Sequence, residues 1–143
     1  MKRNLVILFV CSISILALFG CSKEAPREIH LNQLTRVDVQ GSTVEHGNNE
    51  TIITEKEKIK TVREVFSRIE WEHNVKVEMI RKEDKKVTLF FTTDKNMPES
   101  LFEYLIWFNQ GDTSVTIVDR EKNSLGTLDK EDSQILKNIL VDY

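Results

Sequence analysis

Side chains able to do chemistry are few in this 143-residue chain, and their spacing matters as much as their identity. His30, His46 and His73 are scattered, and no pair has the i, i+4 helical or i, i+2 strand spacing that suits shared metal ligation. No serine sits in a Gly-x-Ser-x-Gly elbow, and neither a Walker A loop nor Gly-x-Gly-x-x-Gly occurs. Asp94, Asn96 and Glu99 partly follow a calcium-loop pattern but lack its spacing and its turn glycine, so they read as turn residues. Glu70 and Glu72 flank Trp71 and would share one face of a strand. A glycosidase-type reaction needs two carboxyls roughly 5 to 10 Å apart across a cleft, and solvated acids beside a tryptophan are the plainer reading. No catalytic residue, metal or cofactor is therefore expected.

The thiols remain, and their setting decides their chemistry. Met1 to Gly20 contains Lys2 and Arg3, then an apolar run from Leu5 to Phe19, and no acid. An apolar run of about 15 residues after a basic start is an export signal, short of the roughly 20 needed to span a bilayer. A short uncleaved membrane anchor is the competing reading. Leu18-Phe19-Gly20-Cys21 closes this run and resembles the lipobox of bacterial lipoproteins. That resemblance implies that the Cys21 thiol receives a diacylglyceryl group and that Cys21 becomes the new N-terminus. Two acyl chains hold a protein stably where one is marginal, each buried CH₂ contributing about 0.8 kcal/mol.

Processing changes the composition. The full chain carries 20 Lys+Arg against 23 Asp+Glu, a formal charge of -3, with 40% hydrophobic residues, 5 Gly and 2 Pro. These values exclude wholesale disorder and speak against nucleic-acid binding. Removing residues 1–20, with two cations and no acid, leaves 123 residues at -5. Cys11 leaves with the signal and Cys21 is alkylated, so neither a disulfide nor thiol catalysis is expected. The expected organisation is a signal peptide at 1–20, the lipidated cysteine and tether at 21–32, and one domain at 33–143.

Elements that position the remaining side chains follow from periodicity. Ile59, Val62, Val65, Phe66 and Ile69 form one helical stripe between Thr54 and Glu70, with Thr54 and Glu57 spaced as a capping box. A second helix is expected from Lys130 to Val141, capped by Asp129, with Ile135, Leu136, Ile139 and Leu140 on its apolar side. Period-two alternation marks strands at Val75–Met79, Val87–Thr92 and Val115–Val118, the polar run 81–86 reading as a hairpin turn. Leu34–Gln40 and Thr51–Thr54 read as an opening hairpin. Leu101–Asn109 fits a strand or a helix, and its aromatic and β-branched content favours a central strand covered by a helix. The sum is an α+β domain: a meandering antiparallel sheet of five to six strands with two helices packed on it.

Aromatic residues offer the recognition candidates. Phe90, Phe91, Phe102, Tyr104, Trp107 and Phe108 serve either a core or a groove, and Trp71, Glu72, Tyr104, Trp107 and Asn109 form the candidate binding surface. Ile69-Glu70-Trp71-Glu72, Val75 to Met79, Asp94 to Pro98 and Tyr104 to Asn109 together resemble the YhfM-like group of small Gram-positive lipoproteins. The resemblance implies an extracytoplasmic, membrane-anchored protein and carries no catalytic residue. The expectation is a non-enzymatic envelope domain, held to the membrane through diacylglyceryl on Cys21, that binds a protein, peptide or wall component and no nucleic acid. The alternatives are an anchored cell-wall hydrolase using Glu70 or Glu72, and an inhibitor or immunity-type lipoprotein with an acidic face.

Overall fold

The computed structural model describes residues 30–41, 50–111 and 113–141. Seven strands form one antiparallel sheet: β1 (Leu34–Gly41), β2 (Glu50–Ile53), β3 (Glu70–His73), β4 (Lys85–Phe91), β5 (Ser100–Phe108), β6 (Val115–Asp119) and β7 (Ser124–Thr127). Their spatial order is β2-β1-β4-β5-β6-β7-β3. Helices α1 (Lys56–Ser67) and α2 (Lys130–Val141) lie on one face, so the fold is α+β as expected. No described helix is long and apolar enough to cross a membrane.

The main core forms where the helical stripe meets the sheet. Ile59, Val62, Val65 and Phe66 of α1 and Leu136 and Leu140 of α2 pack on Val37, Leu89, Tyr104, Ile106 and Ile117. Each fully buried aliphatic side chain contributes roughly 1.5–3 kcal/mol, so this layer outweighs any surface ion pair. Central strand β5 is buried on both faces: Phe102, Tyr104 and Ile106 join the main core, while Leu105 and Trp107 form a second cluster with Val118, Val77 and Leu125.

Asp129 caps α2 as expected, its Oδ1 accepting the Asp132 N–H at 2.8 Å and its carbonyl the Ser133 N–H at 3.0 Å. The capping box expected at Thr54 does not form. Helix α1 starts one residue later, with Glu55 as N-cap, and the Glu55 carboxylate pairs with Lys58 at 3.0 Å instead of capping. Arg68, which ends α1, grips the first turn of α2 by donating to both oxygens of Asp132, at 2.6 and 2.7 Å.

The strand count is seven, above the five to six expected, and two assignments move. Glu70–His73 forms edge strand β3, although its residues are mostly polar and show no alternation. Ser124–Thr127 pairs beside it; four residues with one large apolar side chain leave no periodic signal. Val75–Met79, which alternates as a strand does, is not one. Asn74 takes a left-handed φ of 60° and turns the chain out of the sheet at the end of β3, a conformation that asparagine tolerates. Residues 75–83 then cross the face opposite the helices as a strap, so 81–86 is no hairpin turn, and β3 and β4 lie far apart in the strand order. The strap's alternation is real but serves packing: Val77 seats on the second cluster.

Fixed hydrogen bonds hold the strap at both ends. The Val75 N–H donates to Asn123 O at 3.0 Å. Trp107 Nε1 donates to Arg81 O at 3.0 Å. The Arg81 guanidinium donates to both oxygens of Asp84, at 2.6 and 2.8 Å, and to Phe108 O at 2.8 Å. Burial pushes the Asp84 carboxyl upward, but Arg81 and the Phe108 N–H outweigh it and hold the group below the usual carboxylate range.

Candidate functional site

A cavity of about 330 Å³ opens between the end of α1 and the β3–β7–β6 corner of the sheet. Its walls are Leu31, Phe66, Ile69, Trp71 and Tyr104, and its polar groups are His73, Asp119, Lys122 and Ser124. Register explains how residues distant in sequence meet here. His73 pairs with Ser124 and Ser124 with Asp119, so three polar side chains lie in one row across β3, β7 and β6. Directly opposed residues of an antiparallel sheet share a face. One step along, Trp71, Gly126, Ile117 and Ile106 form the next row on that face.

Gly126 makes room for the aromatic wall. A Cβ at this position would lie 2.7 Å from Ile69 Cγ2 and 2.9 Å from Trp71 Cζ3, closer than carbon atoms tolerate. The missing side chain lets the Trp71 indole lie over β7 and reach Tyr104, their ring centroids 5.9 Å apart. Phe66 meets the other side of Tyr104 edge-on at 5.3 Å, an arrangement that aromatic quadrupoles favour.

The polar row is ordered internally. His73 Nδ1 lies 2.7 Å from Ser124 Oγ, which also reaches Lys122 O at 3.2 Å. Asp119 Oδ1 accepts the Lys122 N–H at 3.0 Å. Ser124 is 1% exposed and Asp119 4%, so the turn between β6 and β7 is built around a buried hydroxyl and a buried carboxylate. Ser124 therefore orients the imidazole and is not presented as a nucleophile. His73 is exposed, and its Nε2 makes no hydrogen bond among the described residues. Burial first, then the charges of Asp119 and Glu121, push the Tyr104 phenol well above its ordinary value, so it stays protonated. No group of three or more His, Cys, Asp or Glu suited to a metal ion occurs among the described residues.

The binding surface expected from the sequence, Trp71, Glu72, Tyr104, Trp107 and Asn109, does not assemble as one patch. Trp71 and Tyr104 join in the cavity. Glu72 opposes Leu125 and so faces the other way, alongside Trp107. Trp107 is 3% exposed and fixed by the strap. Asn109, at the end of β5, spends its Nδ2 on Ser114 Oγ at 2.8 Å and Thr116 Oγ1 at 3.2 Å. Glu70 and Glu72 share the exposed face of β3 and line neither this cavity nor the groove under the strap. His30 precedes the short turn Leu31–Gln33, while His46 and Cys21 lie outside the described residues. Sequence reasoning missed Asp119 and Ser124. A signal for Asp119 was present: in Val115, Ile117 and Asp119 the alternation places an acid on the face that two aliphatic residues bury.

No protein-family model and no curated protein matches the chain. Among solved structures, a thioesterase-like protein from Clostridium sporogenes ATCC 15579 shares the fold, with a TM-score of 0.53 over 77% of this chain and 96% of that one, at 19% identity.

Proposed function

We propose that this chain is a lipid-anchored extracytoplasmic domain that binds a small amphipathic ligand in the cavity between α1 and the β3–β7–β6 corner. The carrying observation is the cavity itself: aromatic and aliphatic walls with His73, Asp119 and Ser124 grouped at one side. At about 330 Å³ it falls at the low end of the range of small-molecule sites. An apolar body against Phe66, Ile69 and Trp71 and a hydrogen-bonding end at His73 would satisfy both halves. The anchor rests on the basic start, the apolar run and Leu18 to Cys21.

Trp71 makes binding measurable. The chain from residue 22 onward, titrated with medium-chain fatty acids, is expected to show a saturable change in tryptophan emission, weakened about tenfold by His73→Ala, as for loss of one hydrogen bond. A signal that never saturates, or one indifferent to His73, sinks the reading. A second reading, hydrolysis of an acyl thioester, is favoured by the row of His73, Ser124 and Asp119 and by the fold shared with a thioesterase-like protein. It predicts turnover lost in His73→Ala and Asp119→Asn yet kept in Glu70→Gln and Glu72→Gln. No turnover of any acyl thioester leaves binding alone.

A further inference from the structure

Tyr104 is 1% exposed and lines the cavity, and its hydroxyl makes no hydrogen bond among the described residues. Buried tyrosine hydroxyls usually have a partner, so one left solitary at a cavity wall marks a contact that a ligand can complete. Packing fixes the ring. Phe66 meets it edge-on and Trp71 lies tilted across it, so the direction of the phenol is set.

Register places that hydroxyl at the polar end of the cavity. Strands β5 and β6 pair as far as Leu105 and Val118, and one step further Tyr104 stands opposite Asp119. The row of His73, Ser124 and Asp119 therefore reaches Tyr104, beyond which it turns aliphatic at Val87 and Val39. The charges of Asp119 and Glu121 are felt at the phenol, in keeping with this placement, and with burial they keep its proton on. A protonated phenol of this kind is a donor without an acceptor.

The charged groups nearby decide which oxygen suits it. Asp119 is buried, whereas Lys122 is half-buried with its ammonium 5.7 Å from the Phe102 ring centre, and His73 is exposed. Solvent screens both cations more than it screens Asp119, so a ligand carboxylate beside Tyr104 would meet a second, poorly screened negative charge. A carbonyl oxygen offers the lone pairs without the charge.

We propose that the polar end of the ligand is an uncharged acyl carbonyl, as in an ester, thioester or amide, whose oxygen accepts a hydrogen bond from Tyr104 Oη. Tyr104 is then the residue that sets specificity, since a buried donor rejects ligands that leave it unpaired. The proposal deepens the ligand-binding reading of this cavity and rests on it, and the test separates the two.

The complete processed chain, residues 21–143, is titrated near neutral pH with methyl octanoate and with octanoate, and tryptophan emission is followed. The two share an apolar chain and differ in the charge beside the carbonyl. Methyl octanoate is expected to bind about tenfold more tightly. Tyr104→Phe is expected to weaken methyl octanoate about tenfold and octanoate less, and Asp119→Asn to strengthen octanoate several-fold. Octanoate binding as tightly as the ester, or more tightly, overturns the proposal and leaves the ligand-binding reading standing. This comparison uses the parent chain and decides the matter even where a variant fails to fold. Ester affinity unchanged in a Tyr104→Phe protein that melts as the parent does assigns the hydroxyl to water and also overturns the proposal. Saturation by neither compound overturns both readings.

Discussion

At the scale of single residues, the cavity depends on an atom that is missing. Gly126→Ala is expected to displace the Trp71 ring, destabilise the domain by about 1–3 kcal/mol and shift tryptophan emission before any ligand is added. An unchanged spectrum and melting temperature would show that Ile69 and Trp71 yield without cost. The contribution of Gly126 was not legible beforehand, because a glycine in a four-residue strand looks like a turn. Trp71 and Tyr104 were legible as recognition candidates from their ring type. Their separation from Trp107 was not, since assigning residues to faces requires the register of β3, a strand without alternation. His73 read as an ordinary surface histidine because its partner, Ser124, is 51 positions away.

Among the elements, the strap shows how one periodic pattern can serve two ends. Val75, Val77 and Met79 alternate because one side of the segment meets the sheet, yet its backbone bonds go to Asn123 O and the Trp107 indole, with the Arg81 side chain on Asp84, and not to the ladder of a neighbouring strand. Trp107→Phe keeps most of the apolar contact and removes the bond to Arg81 O, a loss of about 1 kcal/mol. Trypsin is then expected to cut after Arg81 or Lys82 several times faster than in the parent, with the melting temperature lowered by only about 2–6 °C. Equal cleavage rates would show that Arg81 and Asp84 alone fix the segment. Helix positions, by contrast, were read closely from sequence: the Lys130–Val141 bounds and the Asp129 cap agree with the structure, because capping and the 3.6-residue stripe are local.

For the whole molecule, two interactions set the response to acid and to cavities. The Asp132 carboxyl is held below the usual range chiefly by hydrogen bonds from Arg68, against a smaller upward push from burial. A carboxyl lowered in the folded state adds stability that is full above its unfolded value, about 3.9, and is lost as pH falls through the folded value. Asp132→Asn should therefore lower the melting temperature at pH 7, and the gap to the parent should close as pH drops below the ordinary carboxylate range. A gap that persists in acid would mean that the asparagine disturbs packing. Leu136→Ala, at a wholly buried position of α2, should cost about 2–5 kcal/mol in a single cooperative unfolding transition. The overall layering was legible because it follows from apolar periodicity, whereas the order of strands depends on where each short edge strand finds a partner.

Placement of β3 also orders events in time. Strands β4, β5 and β6 follow one another in sequence and pair as neighbours, but β3 must wait for β7, which the chain supplies more than fifty residues later. Long-range pairings of this kind carry a closure penalty that local hairpins avoid. For a chain that emerges N-terminus first, Trp71 and His73 stay without their β7 partners until Ser124 to Thr127 have arrived. Refolding followed by pulsed hydrogen exchange should protect β4 and β5 amides before Trp71 emission reaches its final value. A truncated or stalled chain would then contain most of the sheet and lack the cavity at the β3–β7–β6 corner.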